Sequence, residues 1–346
     1  MNKNEDDSIE DMEIDVEGFK FVLSDYKEKD LIPEYFNTPF ITPWEITRQC
    51  NLKCLQCLNN SGTKHPHELT HEQKIRVAHE LVEAKIYRAC LSGGEPILCE
   101  SFWEIANILK EGKVLCNTIT NGLFVNEENA KRYVDTFNVI QVSIDGATAK
   151  THDMIRGKKG SFEKAVNAAR MFADYGARVS IANVGVHPNV GELNDLVDLA
   201  ADIGATIFRC EPVKLAGRAA INKELLTPTA EDLKLITSTL EKKKEEYEGK
   251  MAIDIIPAEQ SEFLLAKAGF PPIVCYISPT GTCAPNPVFP FSGGSLKDKS
   301  FQEVWDEIKV FHNNPEYIKI AHSVKSNEDF LKLDHIPYVE GELHDR

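Results

Sequence analysis

Three cysteines, Cys50, Cys54 and Cys57, are the residues best suited to chemistry, and they are spaced C-x3-C-x2-C in one short stretch. They follow an apolar, strand-like run over 40–46, and a loop leaving such a strand can direct three thiolates onto a single iron–sulfur cube. A [4Fe–4S] cluster has four irons, so three protein ligands leave one iron open. The spacing therefore predicts a [4Fe–4S] cluster with an iron available for chemistry.

Two plainer interpretations of these cysteines are less favourable. A structural zinc site needs four nitrogen or sulfur ligands, usually in two spaced pairs, and no further Cys or His lies within six residues of the three. A disulfide would leave one thiol over and is rare in a cytosolic chain.

A second motif, Ser92-Gly93-Gly94-Glu95-Pro96, follows about 35 residues later, at the end of the next strand-like run. Its glycines let the backbone approach a ligand closely, and its carboxylate can accept hydrogen bonds from an amine. Alone, such a sequence is more often a turn. Its place one strand–helix unit after the cysteines favours a ligand-binding role.

Together, the cysteine motif and the Gly-Gly-Glu-Pro motif resemble those of the radical S-adenosylmethionine (radical SAM) superfamily. The resemblance implies that Cys50, Cys54 and Cys57 bind a [4Fe–4S] cluster whose open iron is chelated by S-adenosylmethionine. One electron, from a reductase or a flavodoxin or ferredoxin, then cleaves the sulfonium to methionine and a 5'-deoxyadenosyl radical, which abstracts hydrogen from a substrate. The cofactor carries the difficult chemistry, and the protein supplies binding and orientation.

The resemblance also implies which residues contact the cofactor. Gly93, Gly94, Glu95 and Pro96 would bind its amino group. Polar residues at the ends of later strands would hold its ribose and carboxylate, and these are Thr120, Asn121, Ser143 and Asp145, with Arg156 beyond them. Asp145 is equally suited to capping a turn, and Arg156 to a salt bridge with a nearby helix. Gln56 stands where family members often carry an aromatic residue or His, and its backbone would reach the adenine.

Strands alternating with helices must position these residues. Strand-like runs are predicted at 40–47, 87–91, 114–118, 139–144, 178–186 and 206–210, and amphipathic helices near 70–86, 101–112, 126–136, 161–175 and 190–203. Capping boxes are predicted at Thr70, Ser101 and Asn189. This alternation predicts an α/β fold with a parallel sheet, and the resemblance makes it the partial (β/α)6 barrel of radical SAM enzymes, with ligands at the carboxyl ends of the strands.

The domain organisation follows from composition. Eight of the first seventeen residues are acidic, so 1–17 is predicted to be a disordered tail, with a docking arm for a basic partner as the alternative. Residues 18–39 form an N-terminal cover segment, 40–225 the radical SAM core, and 226–346 a linker helix and a C-terminal α+β extension. An irregular link is expected at 211–226 and a charged helix at 229–247.

Charge and cysteine usage limit location and partners. The net charge of −15 disfavours nucleic acids, whose affinity for proteins is built mainly from Lys and Arg. No signal peptide, lipidation motif or long apolar run is seen, so no membrane partner is expected. The number of cysteines, nine, is odd, which argues against a disulfide framework and indicates a reducing cytoplasm.

The C-terminal extension resembles the twitch/SPASM type but departs from it. Relatives with auxiliary clusters carry a cysteine at the position of Asn286, and this chain has no cysteine after Cys283. Cys275 and Cys283 cannot supply four thiolates, which favours a degenerate extension over an auxiliary cluster completed by other ligands. The two cysteines are expected to be apolar core residues, or, alternatively, one of them is a catalytic hydrogen donor.

The remaining motifs resemble the branch that contains the mycofactocin maturase and related maturases of ribosomally made peptides. This implies a peptide-modifying enzyme that makes a crosslink, a decarboxylation or an epimerisation on a precursor peptide. The alternatives are a radical SAM enzyme acting on a tetrapyrrole or another small cofactor precursor, and a cluster-bearing binding partner without catalysis. Fold alone does not choose between them.

Overall fold

The computed structural model describes residues 13–16, 19–22, 33–255, 266–267, 269–288, 291–324 and 329–332. Within these residues the architecture is a ten-stranded, mostly parallel sheet with helices packed against it, and a separate two-stranded ribbon near the N-terminus. Each parallel strand except the last is joined to the next by a segment that contains a helix. The α/β class predicted from the alternating pattern is therefore confirmed.

Twelve strands are described. They are β1 (Glu13–Val16), β2 (Phe19–Val22), β3 (Ile41–Thr47), β4 (Arg88–Gly93), β5 (Leu115–Thr120), β6 (Val139–Ser143), β7 (Val179–Gly185), β8 (Ile207–Pro212), β9 (Ala252–Ile255), β10 (Tyr276–Ile277), β11 (Thr282–Ala284) and β12 (Gly294–Ser295). The ribbon pairs β1 with β2 in antiparallel register. Part of the predicted acidic tail is thus a strand, and the rest of that tail lies outside the described residues.

The strands β3 to β9 lie side by side in chain order, all parallel. The described ends of this run, β3 and β9, do not pair with each other, as expected for a partial barrel. Six of the seven match the predicted strands. The seventh, β9, was not predicted, because a four-residue run over 252–255 gives little periodicity to read.

Eleven α-helices occur in the described part of the chain. They are α1 (His71–Glu83), α2 (Phe102–Glu111), α3 (Glu127–Thr136), α4 (Ala149–Arg156), α5 (Ser161–Asp174), α6 (Leu193–Ile203), α7 (Gly217–Ile221), α8 (Lys223–Leu226), α9 (Ala230–Glu246), α10 (Phe301–Ile308) and α11 (Pro315–Ser323). Single 3₁₀ turns lie at Pro96–Leu98, Val190–Glu192, Phe311–Asn313 and Asp329–Lys332. The expected irregular link at 211–226 instead contains α7 and α8.

One of the three predicted capping boxes is confirmed. The Thr70 hydroxyl accepts from the Gln73 amide, and the Gln73 side chain accepts from the Thr70 amide. Ser101 makes no capping hydrogen bond with its side chain, and neither does Asn189. The Asn189 side chain instead bonds to backbone groups. Its Nδ2 donates to the carbonyl oxygens of Asp145 and Val184 at 3.0 and 2.9 Å.

The core lies between the sheet and the helices. Large aromatic side chains fill it, including Trp44, Phe102, Tyr133, Phe172 and Phe208, all essentially inaccessible to solvent. Burying such side chains is the main favourable term in folding. The opposite face of β4 to β9 carries many polar side chains, and that face lines a cavity.

The C-terminal extension continues the same sheet. β10 pairs in parallel with β3, and β11 and β12 add antiparallel strands beyond it. The helix α10 packs in the main core through Phe301 and Trp305, and the Trp305 indole N–H donates to the Phe36 carbonyl oxygen at 2.9 Å. The described end of the cover segment is thereby fixed to the extension.

Candidate cofactor site in the barrel cavity

A cavity of about 620 Å³ occupies the inside of the partial barrel. The loop that carries the three cysteines, here called the cluster loop (residues 48–62), forms its upper wall, at the carboxyl ends of the strands. The amino ends of the strands form its lower wall. Parallel α/β barrels bind their ligands at the carboxyl ends of the strands, which here is the upper part of the cavity.

All three predicted cluster ligands line this cavity, and none is in a disulfide. The Leu52 amide donates to the Cys50 sulfur at 3.4 Å, and the Ser61 amide donates to the Cys57 sulfur at 3.3 Å. Within the described residues, no three His, Cys, Asp or Glu side chains meet closely enough to ligate one metal ion. The thiols instead face a shared space, and amide donors to sulfur are a known feature of iron–sulfur sites. The donor set therefore fits a cluster.

Burial controls the protonation of these thiols. It raises the pKa of Cys50 to about 11. Burial also raises the pKa of Cys54, against the opposing charge of Arg156, whose Nη1 lies 3.8 Å from the Cys54 sulfur. The free thiols of Cys50 and Cys54 are therefore neutral at pH 7, and their deprotonation must accompany metal binding, which is usual for thiolate ligands.

Gly93 and Gly94 bring β4 into direct contact with the start of the cluster loop. The Gly94 amide donates to the Thr47 carbonyl oxygen, and the Glu95 amide donates to the Gln49 carbonyl oxygen, both at 2.8 Å. A β-carbon on Gly94 would lie 2.3 Å from the Gln49 oxygen. Only glycine allows this approach.

Glu95 lies behind the cavity wall and is almost fully buried. Its two oxygens accept hydrogen bonds from the Thr120 hydroxyl and the Asn121 amide, both at 2.8 Å. Burial raises the pKa of Glu95 to about 7, although these two hydrogen bonds oppose the change. A carboxylate has about four acceptor positions, so further N–H groups can still bind.

Asp145 has a similar place at the end of β6 and is fully buried. One of its oxygens pairs with the Arg156 Nε at 2.6 Å and accepts from the Gln56 side-chain amide at 2.5 Å, and the other accepts from the Val184 amide. The Gln56 side-chain oxygen is buried and has no hydrogen-bond partner among the described residues. Arg156 thus pairs with a strand end rather than a helix.

The predicted cofactor residues form two layers. Those that line the cavity are Gln56, Gly93, Gly94, Thr120, Asn121, Ser143 and Arg156. Glu95, Pro96 and Asp145 do not line it. Glu95 holds Thr120 and Asn121 in place, and Asp145 holds Gln56 and Arg156.

Arg218, at the start of α7, was not predicted to belong to the site. Its guanidinium group donates to the Cys54 carbonyl oxygen at 2.7 Å, the Asn60 side-chain oxygen at 2.7 Å and the Ser61 carbonyl oxygen at 2.8 Å. Its backbone amide donates to the Cys57 carbonyl oxygen at 2.9 Å. One residue therefore fixes the backbone at two of the three cysteines. Contacts across 164 positions leave no signal in local spacing.

Gly217 permits this docking. It has a φ of +55°, and a β-carbon there would lie 2.1 Å from the Leu58 carbonyl oxygen. Glu68 supports the other end of the cluster loop, because its carboxylate accepts from the Arg48 amide at 2.7 Å and forms a buried ion pair with Lys74.

Cys275 and Cys283 lie elsewhere. Both are fully buried in the main core, close to each other, and neither lines the barrel cavity. This placement favours the expected apolar core role and gives no support to the hydrogen-donor prediction. Asn286 is buried as well, and its side-chain oxygen accepts from the Val288 amide at 2.9 Å.

Comparison with known proteins agrees with this geometry. The family model described as the radical SAM superfamily matches residues 44–200. The mycofactocin maturase MftC of Mycobacterium tuberculosis (strain ATCC 25618 / H37Rv) is 34% identical over 284 residues, which are 80% of this chain and 72% of that protein. The chain belongs to the radical SAM superfamily. As a radical SAM enzyme, it uses a [4Fe–4S] cluster and S-adenosylmethionine.

Other relatives are more distant. The PqqA peptide cyclase of Rhizobium meliloti (strain 1021) is 28% identical over 78% of this chain and 74% of that protein. Among solved structures, Streptococcus suis SuiB bound to precursor peptide SuiA superposes with a TM-score of 0.64, at 14% identity, over 86% of this chain and 69% of that one. Native anSMEcpe with bound AdoMet and Cp18Cys peptide gives 0.64 at 16% identity, covering 82% and 83%. At these identities the two structures support the radical SAM fold. No described helix is long and apolar enough to cross a membrane.

Proposed function

We propose that this radical SAM enzyme modifies a ribosomally made precursor peptide. The similarity to MftC carries the proposal, because it spans 80% of this chain and 72% of that maturase. Relatives named for peptide cyclisation and for bacteriocin biosynthesis point the same way. Whether the reaction is a crosslink, a decarboxylation or an epimerisation must be determined with the substrate peptide itself.

In this proposal, Cys50, Cys54 and Cys57 hold the cluster, and Arg218 fixes the backbone that presents them. When bound, the cluster and S-adenosylmethionine supply a 5'-deoxyadenosyl radical for hydrogen abstraction. The protein's own work is to bind, orient and exclude water. Arg156 and its partner Asp145 keep a fixed positive charge beside Cys54.

The lining residues divide the contacts to S-adenosylmethionine. Gly93 and Gly94 leave room for its methionine part, and Glu95, behind the cavity wall, holds Thr120 and Asn121 in place. Thr120, Asn121 and Ser143 bind its hydroxyl and carboxylate oxygens. The Gln56 side-chain oxygen, which is buried and has no hydrogen-bond partner in the described part of the chain, offers an acceptor to an N–H donor.

Anaerobic reconstitution tests this function. We expect about four irons and four sulfides per chain, from the cluster type, and reductant-dependent formation of methionine and 5'-deoxyadenosine. The Cys50/Cys54/Cys57 triple Ala variant should hold no iron. The Cys275/Cys283 double Ala variant is the matched control and should keep its iron. Loss of half the iron in the control would instead reveal an auxiliary cluster.

The substrate class needs a separate measurement. A short open reading frame beside the gene would be translated and incubated with the reconstituted enzyme, and its mass recorded. A mass change that requires S-adenosylmethionine and reductant supports peptide modification. Cofactor cleavage together with an unchanged peptide, and turnover of a tetrapyrrole, would favour the small-molecule alternative.

A further inference from the structure

The lower half of the barrel cavity has a different chemistry from the cluster end. Its walls carry three arginines, Arg88, Arg178 and Arg209, and the polar side chains of Asn117 and Ser180. We call these five residues the lower basic pocket. Among the described residues that line this half, Asp254 supplies a carboxylate, and this carboxylate pairs with Arg209 at 2.9 Å.

The guanidinium groups lie close enough to repel one another. Burial, followed by the charges of Arg178 and Arg209, lowers the pKa of Arg88. The protein as a whole has a net charge of −15, so this concentration of positive charge runs against its composition. Like charges held together inside a cavity disfavour one another; Asp254 offsets them with one carboxylate, and a second anion would be stabilised by the remaining positive charge.

Two buried polar atoms supply independent evidence for a ligand. The Ser180 hydroxyl and the Asn117 side-chain oxygen are buried and have no hydrogen-bond partner in the part of the chain that the structure describes, and both residues line the cavity. Their relative exposures are 3% and 8%. Leaving a buried polar atom unpaired is costly, so such atoms often mark the place of a bound group. The Asn117 amide can also turn its NH₂ inward.

The strand register places these groups toward the amino ends of two pairs of neighbouring strands, β4 with β5 and β7 with β8. Ser180 is the second residue of β7, and Arg178 immediately precedes the strand, two positions before Ser180; both residues line the cavity. Ser180 is paired with Ile207, two residues before Arg209 on β8, which puts Arg209 diagonally beside it. Asn117 is paired with Cys90, two residues after Arg88 on β4.

We propose that the lower basic pocket binds a carboxylate group of the substrate, with Arg88, Arg178 and Arg209 as its cationic contacts and Ser180 and Asn117 as hydrogen-bond partners. Guanidinium groups match a planar carboxylate well. The identification of that group as part of a peptide rests on the proposed function. A carboxylate is the anionic group that an unmodified peptide carries, at its C-terminus or on an acidic side chain.

This placement also limits where the reaction occurs. β4 extends from Arg88 at the lower end to Gly93 at the cluster end, and six residues of strand span about 16 Å. An extended peptide covers that distance in about five residues. The carbon that loses hydrogen is therefore expected within about five residues of the anchored carboxylate.

Binding is tested on the reconstituted full-length enzyme with ¹³C-labelled N-acetylglycine, which carries a carboxylate, and with its neutral amide, N-acetylglycinamide. NMR titration at constant ionic strength should give saturable binding of the carboxylate, roughly tenfold tighter than the amide, as one charged hydrogen bond allows. The R88Q/R178Q double variant should lose that preference. R170Q, which removes a surface arginine paired with Asp202, should keep it.

Two further variants keep the test decisive. R178Q alone changes an exposed residue and serves if the double variant does not fold. S180A removes a hydroxyl that has no hydrogen-bond partner among the residues described, so it should weaken carboxylate binding while leaving the melting temperature unchanged. Equal binding of acid and amide to the wild type, or a preference that survives R88Q/R178Q, would overturn the inference. Tighter binding of inorganic phosphate than of N-acetylglycine would overturn the carboxylate assignment.

These outcomes are separable from those of the proposed function. Binding of N-acetylglycine requires neither cofactor cleavage nor a cognate peptide. Absence of carboxylate binding, with peptide modification intact, defeats only this inference. Carboxylate binding without any cleavage of S-adenosylmethionine supports the pocket and defeats the proposed function.

Discussion

The two ends of the barrel cavity differ in how firmly their polar side chains are held. At the cluster end, Glu95, Asp145 and Arg218 each hold two or more neighbours in fixed positions. At the lower end, the Ser180 hydroxyl and the Asn117 side-chain oxygen have no hydrogen-bond partner among the described residues, and the Gln56 side-chain oxygen at the cluster end shares this condition with them. A site that must hold a cofactor in one geometry benefits from rigid support. A site that meets its ligand only during turnover keeps its hydrogen-bonding groups available.

Substitution of a cluster ligand should have the largest effect. Cys54→Ala leaves two thiolates, which cannot hold a [4Fe–4S] cluster, so iron content and cofactor cleavage should both be lost. Cys116→Ala changes a buried thiol in the core and is the control. Iron and sulfide analysis with product chromatography gives the answer, and cleavage retained by Cys54→Ala would defeat the central assignment.

Gly94→Ala should be the next most damaging change. Its β-carbon would lie 2.3 Å from the Gln49 carbonyl oxygen, so β4 and the cluster loop must separate. We expect the free energy of unfolding to fall by about 2 kcal/mol and S-adenosylmethionine binding to weaken. Gly191→Ala is a matched control, because nothing lies within 4 Å of its added β-carbon. Urea unfolding of both variants measures the difference, and equal stability would contradict the close approach.

Arg218→Lys should have a moderate effect confined to the cluster end. A single ammonium cannot span the three acceptors that the guanidinium group contacts. Because supporting contacts commonly contribute tenfold or more to metal affinity, iron loss to a chelator should be roughly tenfold faster. Arg170→Lys, on the surface, should match the wild type. An unchanged rate of iron loss in Arg218→Lys would show that these guanidinium contacts are dispensable.

The smallest effect sharpens the contrast between the two ends. Ser180→Ala should change the free energy of unfolding by less than about 0.5 kcal/mol, since the lost hydroxyl has no hydrogen-bond partner within the described ranges. Thr120→Val should cost about 1–3 kcal/mol, because the Thr120 hydroxyl donates to Glu95 and accepts from the Gly122 amide. Thermal or urea unfolding compares them. Similar losses in both variants would remove the distinction drawn here.

Much of the fold could be predicted from local pattern. Six parallel strands and the helices between most of them follow from apolar periodicity, and Thr70 follows from its capping box. The helix α4 was missed, because its eight residues form only two turns and its motif was interpreted as a ligand contact. The capping box predicted at Asn189 is wrong, because the Asn189 side chain donates to backbone carbonyl oxygens instead.

The site divides in the same way. The cysteines and Gly93-Gly94-Glu95 are readable because their spacing along the chain reflects a single loop and a single turn. Arg218 and the lower basic pocket are not readable, because their partners lie on other strands and helices. Sequence predicts which residues stand at a strand's end, but it does not predict which of them face the cavity and which lie behind its wall, as Glu95 and Asp145 do.

The contact between α7 and the cluster loop has a consequence for biogenesis. Cys57 leaves the ribosome about 160 residues before Arg218 does. Throughout that interval the nascent loop lacks the contacts that fix its backbone, and its thiols are exposed to adventitious metals and oxidants. Because the cluster loop and Arg218 are so far apart in the chain, we expect productive cluster delivery only after the barrel strands have assembled. Iron–sulfur loading is therefore expected to be post-translational, and chains that end before residue 218 should be poor acceptors for it.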